Sequence, residues 1–454
     1  MPGLNLVLGL LAAVTALAAL GRRVGVPGPI VFALGGIALA LVPGLPRVAL
    51  PPDLVLLVFL PPLIFAAAQD TTWAEVRELA RPILLLAVGL VLATTAVVAV
   101  VARAAVPVMS WAEAFTLGAV VAPPDAVAAK GVAEAMRLPR RLVAVLEGEG
   151  LFNDATALVA FQIASAAALS GGSFALGASA LELGRAAAVA VAAGLAVGWV
   201  GGHVLTRVAR VDDPPAEATV TLLLPYAAYL AAEHWHGSGV IAVIAAALWL
   251  NQPRGGAESP LARPHTRALW GTLDFLLTGL SFVLVGLQLR AAVTAFGTRV
   301  PPGPLIVDAL QICLAAIAVR IAWMYGTAWA LGPVRPDPRH LAVAGWAGMR
   351  GVVSLAIALS LPTVRPDGSS FPARPLIVFV TFVVIVATLV GQGLTLPLLI
   401  RRVGLGGARG AGGAGAGAHG AESAGAPVAT PAELPPAAVV ADAPAAGAAG
   451  TAVR

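Results

Sequence analysis

Apolar stretches of membrane-crossing length recur along this chain, separated by short loops that carry most of its arginines. A bilayer core about 30 Å thick is crossed by roughly 17–25 helical residues. Runs near that length fall at 4–20, 28–45, 52–69, 82–106, 111–133, 142–169, 183–205, 217–234, 237–251, 268–289, 304–332, 340–362 and 375–400. The pattern predicts an all-α polytopic membrane protein with thirteen spans, of which the ninth is short and could form one bent hairpin with the eighth. The runs are continuous, not alternating, which excludes a transmembrane β-barrel. The first run, LNLVLGLLAAVTALAAL, has Arg22 and Arg23 after it and no basic residue before it, the reverse of a signal peptide. It reads as the first span, with its amino end outside.

Composition sharpens this picture. Of 454 residues, 59% are hydrophobic and 11% charged, and the mean hydropathy is +0.90. A soluble domain carries about 25% charged residues. The formal charge of +5 is spread over loops, and no basic block suggests nucleic acid. With the amino end outside, the inner loops hold the larger share of basic residues, including Arg22, Arg23, Arg77, Arg81, Arg140 and Arg141. That is the bias of the positive-inside rule, and an odd number of spans then leaves the carboxyl end inside. The single Cys313 sits in an apolar run, so neither a disulfide framework nor a thiolate metal site is expected. Residues 1–403 are expected to form the membrane domain. From about residue 404 the chain turns to Ala, Gly and Pro, and 404–454 is expected to be a disordered cytoplasmic tail, in which His419 has no neighbours for a metal site.

The informative residues are the polar ones inside the apolar runs. A charge in hydrocarbon is costly unless it faces protein or water. The stretch EGEGLFNDATALV places Glu147, Glu149, Asn153 and Asp154 in the sixth span, with Asp154 about 18 Å deep at 1.5 Å per residue. In the fifth span, Pro123 and Pro124 precede Asp125 and remove two amide donors from the helix. The twelfth span is interrupted at Gly348–Met349–Arg350–Gly351, with Arg350 about 15 Å deep. Two interrupted spans running in opposite directions point to the binding site of a secondary transporter. Such breaks are tolerated at that depth only inside protein or beside a water-filled cavity.

Plainer readings stand beside this one. Asp154 could be a buried structural acid, neutral or paired. Glu147 lies on the same helix face as Asp154, nearer the inner mouth, and could simply line a vestibule. Arg320 and Arg350 both need counter-charges, and Glu149 is the nearest acid in depth, so a structural ion pair is preferred for it over ion binding. His234 and His236, two apart, do not converge on a metal and read as interfacial. Ser354 has no partner histidine for an intramembrane hydrolase, and no enzyme activity or cofactor is expected.

Five segments, FNDATALVAFQIA, APPDAVAAKGVAEAMRLPRRL, PYAAYLAAEHWHGSGVIAVIAAALWL, GLSFVLVGLQL and GWAGMRGVVSLAIALSLP, resemble the signatures of bacterial sodium/proton antiporters. These belong to the first monovalent cation:proton antiporter family, related to animal sodium/proton exchangers. The resemblance covers nearly the whole membrane region in order. It implies two inverted repeats whose interrupted helices cross near the midplane, a homodimer in the cytoplasmic membrane, and exchange of Na+ for H+. It assigns the exchange site to Asp154 and Asn153, with Asp125 beside them, and the monovalent cation to Asp154 and Asp125. It assigns the structural ion pair to Glu149 with Arg320 and Arg350. An Asn before the Asp is that family's mark of electroneutral exchange. Three positions depart from the family pattern: Pro124–Asp125–Ala126 stands for Thr–Asp–Pro, Gly150 for Ser, and Ala66 for an acid. The lost oxygens keep K+/H+ exchange open as an alternative, along with a non-transporting sensor on a degenerate antiporter fold.

Overall fold

The computed structural model describes residues 2–43, 57–69, 73–170, 176–252, 262–294, 302–330, 337–365, 368–369, 371 and 373–405. The tail expected at 404–454 lies outside the described residues beyond Leu405. Among the described residues there is no strand.

The helices, in chain order, are α1 (Pro2–Val24), α2 (Gly28–Leu41), α3 (Leu60–Gln69), α4 (Trp73–Glu78), α5 (Ala80–Ala105), α6 (Trp111–Val121), α7 (Ala126–Ala135), α8 (Arg140–Leu169) and α9 (Leu176–Ala209). They continue with α10 (Pro214–His234), α11 (Gly239–Leu250), α12 (Ala262–Leu287), α13 (Leu289–Thr294), α14 (Pro302–Ala330), α15 (Pro338–Trp346), α16 (Val352–Ser360) and α17 (Ala373–Arg402). Each apolar run found in the sequence carries helix within its described residues. Seven helices are long and apolar enough to cross a membrane, and α2, α3 and α11 are shorter apolar helices. The eighth and ninth runs are separate helices joined by a tight turn, where His234 and His236 are exposed.

Helix ends follow local chemistry. Ser110 and Glu113 close α6 with a capping box, in which Ser110 N–H donates to Glu113 Oε2 at 2.8 Å. Asp213 and Asp337 accept amide hydrogens at the starts of α10 and α15, each followed by proline at the first helical position. Within α5, residues Leu85–Leu90 widen into a π-turn. The Trp323 indole donates to Leu85 O at 3.0 Å, so a carbonyl loosened by that turn is satisfied from α14.

Two groups of helices meet in the bundle. One contains α5 to α8 and α14 to α17; the other contains α1 to α3 and α9 to α12. Where helices press together, glycine sits at the contact, as expected when backbones pack without a hydrophobic drive between them. Gly36 of α2 lies against Val283 O of α12, and Gly286 of α12 lies against Ala33 O of α2, so each helix offers a notch to the other. Large apolar side chains such as Leu8, Val100, Trp199 and Leu314 stay exposed on the outside.

A β-carbon at Gly286 would overlap Ala33 O and Ile37 N. Backbone cannot yield as a flexible side chain can, so Gly286→Val should cost about 1–3 kcal/mol, the usual cost of overpacking. Thermal unfolding of the purified protein in detergent checks this; a melting point equal to that of the parent chain would contradict the close α2–α12 packing.

Candidate functional site

The interruptions in the fifth and twelfth runs bring four helix ends together. The chain leaves helix at Ala122, where Pro124 and Asp125 follow, and re-enters at Ala126; it leaves again at Trp346 and re-enters at Val352. The two breaks touch directly, because Asp125 N–H donates to Met349 O at 2.6 Å.

Three of the four ends have a hydrogen-bonded side-chain partner. At the carboxyl end of α6, Arg350 Nε donates to Val121 O at 3.0 Å. At the carboxyl end of α15, Arg320 Nε donates to Ala344 O at 3.0 Å. Cationic groups suit these ends because helix carboxyl termini carry partial negative charge. At the amino end of α7, Asp125 Oδ1 accepts from Val127 N–H at 2.8 Å and from Ala128 N–H at 3.1 Å. Gly351 opens α16 beside the other Asp125 oxygen, and a β-carbon there would overlap Oδ2.

Glu149 on α8 binds Arg320 with both oxygens, at 2.5 Å to Nη1 and 2.9 Å to Nη2. The pair is almost wholly enclosed, with Glu149 2% and Arg320 1% exposed. The expectation that Arg350 also pairs with Glu149 needs correction. Among the described residues Arg350 forms no ion pair; it donates to Val121 O and Gly348 O, and its own amide donates to Thr388 Oγ1 at 3.1 Å. Its guanidinium nitrogens are met by backbone carbonyls. Glu147, on the same helix face as Asp154, is bridged to Lys130 of α7 at 3.2 Å.

Asn153 is fully buried, and its amide nitrogen donates to Pro124 O at 2.8 Å, tying α8 to the first break. Its Oδ1 is buried without a partner. Asp154 and Asp125 line one cavity of about 60 Å³, together with Leu151, Thr278, Phe282 and Ser354. A water needs roughly 10–15 Å³ of such space, so the cavity has room for a few waters or a partly hydrated ion. Among the described residues the Asp154 carboxylate accepts no hydrogen bond and joins no ion pair, while its charge and that of Asp125 are close enough to interact. Ala66 is not among the cavity-lining residues, whereas Leu63, Ile64 and Ala67 from the same helix are.

The sequence pointed to both breaks and to every acid at them. It did not point to Thr278, whose signal is faint: one of two hydroxyls in the run FLLTGLSF.

A multi-pass helical bundle with two interrupted helices meeting at buried carboxylates is the architecture of an ion-coupled secondary transporter. The transmembrane sodium/hydrogen exchanger family model matches residues 9–402, and the chain belongs to that family. It is 38% identical over 411 residues to an uncharacterized Na+/H+ exchanger of Mycobacterium tuberculosis, covering 88% of this chain and 74% of that one. It is 32% identical over 395 residues to a sodium, potassium, lithium and rubidium/H+ antiporter of Bacillus pumilus, covering 82% of this chain and 58% of the other. Among solved structures it is similar to the sodium proton antiporter MjNhaP1 from Methanocaldococcus jannaschii, with TM-score 0.64 at 17% identity, covering 89% and 99% of the two chains. The chain is thus a multi-pass membrane protein of a transporter family.

Removing one partner of a buried ion pair typically costs about 3–5 kcal/mol, since the other charge is left unmet. Glu149→Gln should therefore lower the yield of folded protein and its melting temperature in detergent. Unchanged stability with altered ion dependence alone would overturn the structural reading of the Glu149–Arg320 pair.

Proposed function

We propose that this protein exchanges a monovalent cation, Na+ first among them, for H+ at Asp154. The observation that carries the reading is the unpartnered Asp154 carboxylate in a cavity where the neighbouring charges are already engaged. Glu149 is committed to Arg320, and Asp125 holds the start of α7 through one oxygen. Asp154 has no such commitment, so its negative charge is available to a proton or a metal cation, one excluding the other. A carboxylate removed from water holds a proton more readily than one in water, which keeps both occupants in play. Hard cations prefer oxygen ligands, and Asp154 and Asp125, which both line the cavity, supply them.

The two broken helices then belong to inverted repeats, and relative rocking of the two helix groups presents the cavity alternately to each side. Asn153, beside Asp154, brings no titratable charge, which supports one-for-one, electroneutral exchange. The protein works as a homodimer among lipids of the cytoplasmic membrane, amino end outside. A second cation, K+, is supported by the Bacillus pumilus relative, whose name includes it.

Asp154→Asn is nearly isosteric and removes a charge from apolar surroundings, so the protein should still fold, while cation-driven proton movement in liposomes should vanish. Exchange at the parent rate by that variant would sink the mechanism.

Competition for one carboxylate has a further consequence. Where the proton is the main occupant, each unit fall in pH should weaken the apparent cation affinity about tenfold, by linkage. Measured half-saturation constants that do not move with pH would exclude a shared site.

A further inference from the structure

The cavity has two walls. One comprises the break before α7, the middle of α8 and the start of α16; the other comprises α3 and α12. The carboxylates stand on the first wall. On the second, Thr278 is buried to 8% exposure.

A threonine inside a helix can satisfy its hydroxyl on a carbonyl one turn back. Thr95, Thr116, Thr327 and Thr388 do so in this protein, at 2.7–2.8 Å. Thr278 does not, and its Oγ1 is buried without a partner. Thr94, Thr266 and Thr381 share that condition, but none of them lines the cavity. The nearby Ser281 takes the ordinary course and donates to Thr278 O at 2.8 Å. Leaving a buried hydroxyl unmet is unfavourable; on that wall Leu60, Leu63 and Phe282 offer it hydrocarbon, and the Ser281 hydroxyl is turned to Thr278 O. Its partner therefore comes from what the cavity holds.

Building on the exchange site at Asp154, we infer that Thr278 Oγ1 is a neutral oxygen ligand of the transported cation, reaching it from α12 while the carboxylates stand on α8 and the first break. The hydroxyl replaces a hydration water without adding charge. Ion–oxygen attraction grows as separation shrinks, so the contact favours small cations over large ones. Thr278 is in this way a selectivity residue, and it supplies from α12 a hydroxyl that Gly150 on α8 cannot.

The test uses the full-length protein in liposomes, with proton release read by a pH-sensitive dye under gradients of Li+, Na+, K+ and Rb+. Thr278→Val keeps the side-chain shape and removes the oxygen. The half-saturation constants for Li+ and Na+ should rise about tenfold, as for loss of one contact to a charged group, and those for K+ and Rb+ should rise less. Thr278→Ser should keep the parent order of cations. If Thr278→Val gives too little folded protein by size exclusion, Thr278→Ala makes the same comparison per folded molecule. Unchanged constants, or an equal shift for every cation exchanged, overturn the inference. Asp154→Asn runs alongside: exchange by that variant removes the site reading itself, whereas an inactive Asp154→Asn with a parent-like Thr278→Val removes only the role of Thr278.

Discussion

A helix that stops inside an apolar bundle leaves carbonyls and amides that no water can reach. The centre of this protein is organised around meeting that demand. Val121 O and Ala344 O, at the ends of α6 and α15, each receive a guanidinium nitrogen. The arginines that serve them would be expensive alone, so Arg320 carries Glu149 with it, and the Arg350 guanidinium donates to two carbonyls, Val121 O and Gly348 O. Asp125 closes the start of α7 and, through its own amide, fastens the first break to the second. Most of the charge at this depth is there because the backbone is interrupted, and the interruption is what makes room for a cavity.

This division of labour separates residues of similar appearance. Glu149, Asp125 and Asp154 are all acids inside apolar runs. The first is held at both oxygens and the second at one, while the third is held at neither. A group that must pass a proton and a cation back and forth cannot be fixed by a permanent partner, and a group that holds an arginine in place cannot be released from one. Glu149 is buried and Asp154, five residues on along the same helix, is only partly buried, which expresses that difference.

Much of this was legible in the sequence because its signals are local. Pro123–Pro124 and Gly348–Met349–Arg350–Gly351 break helices by their own chemistry, and Asp154 stands out by depth in an apolar run. The long-range pairing was not legible. Glu149 and Arg320 are 171 positions apart, and depth alone made Arg320 and Arg350 equivalent candidates. What separates them is which carbonyl each reaches once α6 and α15 end, a matter of where helices cross. Pro225 and Pro397 show the reverse limit: each lies within a helix that continues through it. Thr278 was hidden for another reason, since a single threonine in an apolar run is ordinary until its hydroxyl is seen to lack the carbonyl that such residues use.

The departures at Gly150 and Ala126 belong together. A β-carbon on Gly150 would overlap the Ala126 methyl, so α8 lies directly on the turn that Asp125 caps. A serine at 150 would push that turn away, and with it the Asp125 carboxylate, which is already against Gly351 on its other side. The missing hydroxyl is therefore part of a tighter contact between α8 and the first break, and is not a simple deletion from an otherwise unchanged site. With α8 this close, no oxygen fits between it and Ala126, so a hydroxyl ligand comes from elsewhere around the cavity, as proposed for Thr278. The wall formed by α12 is where the structure has a hydroxyl without a partner. A cation held as proposed, by the carboxylates and by Thr278 together, would bridge the two helix groups.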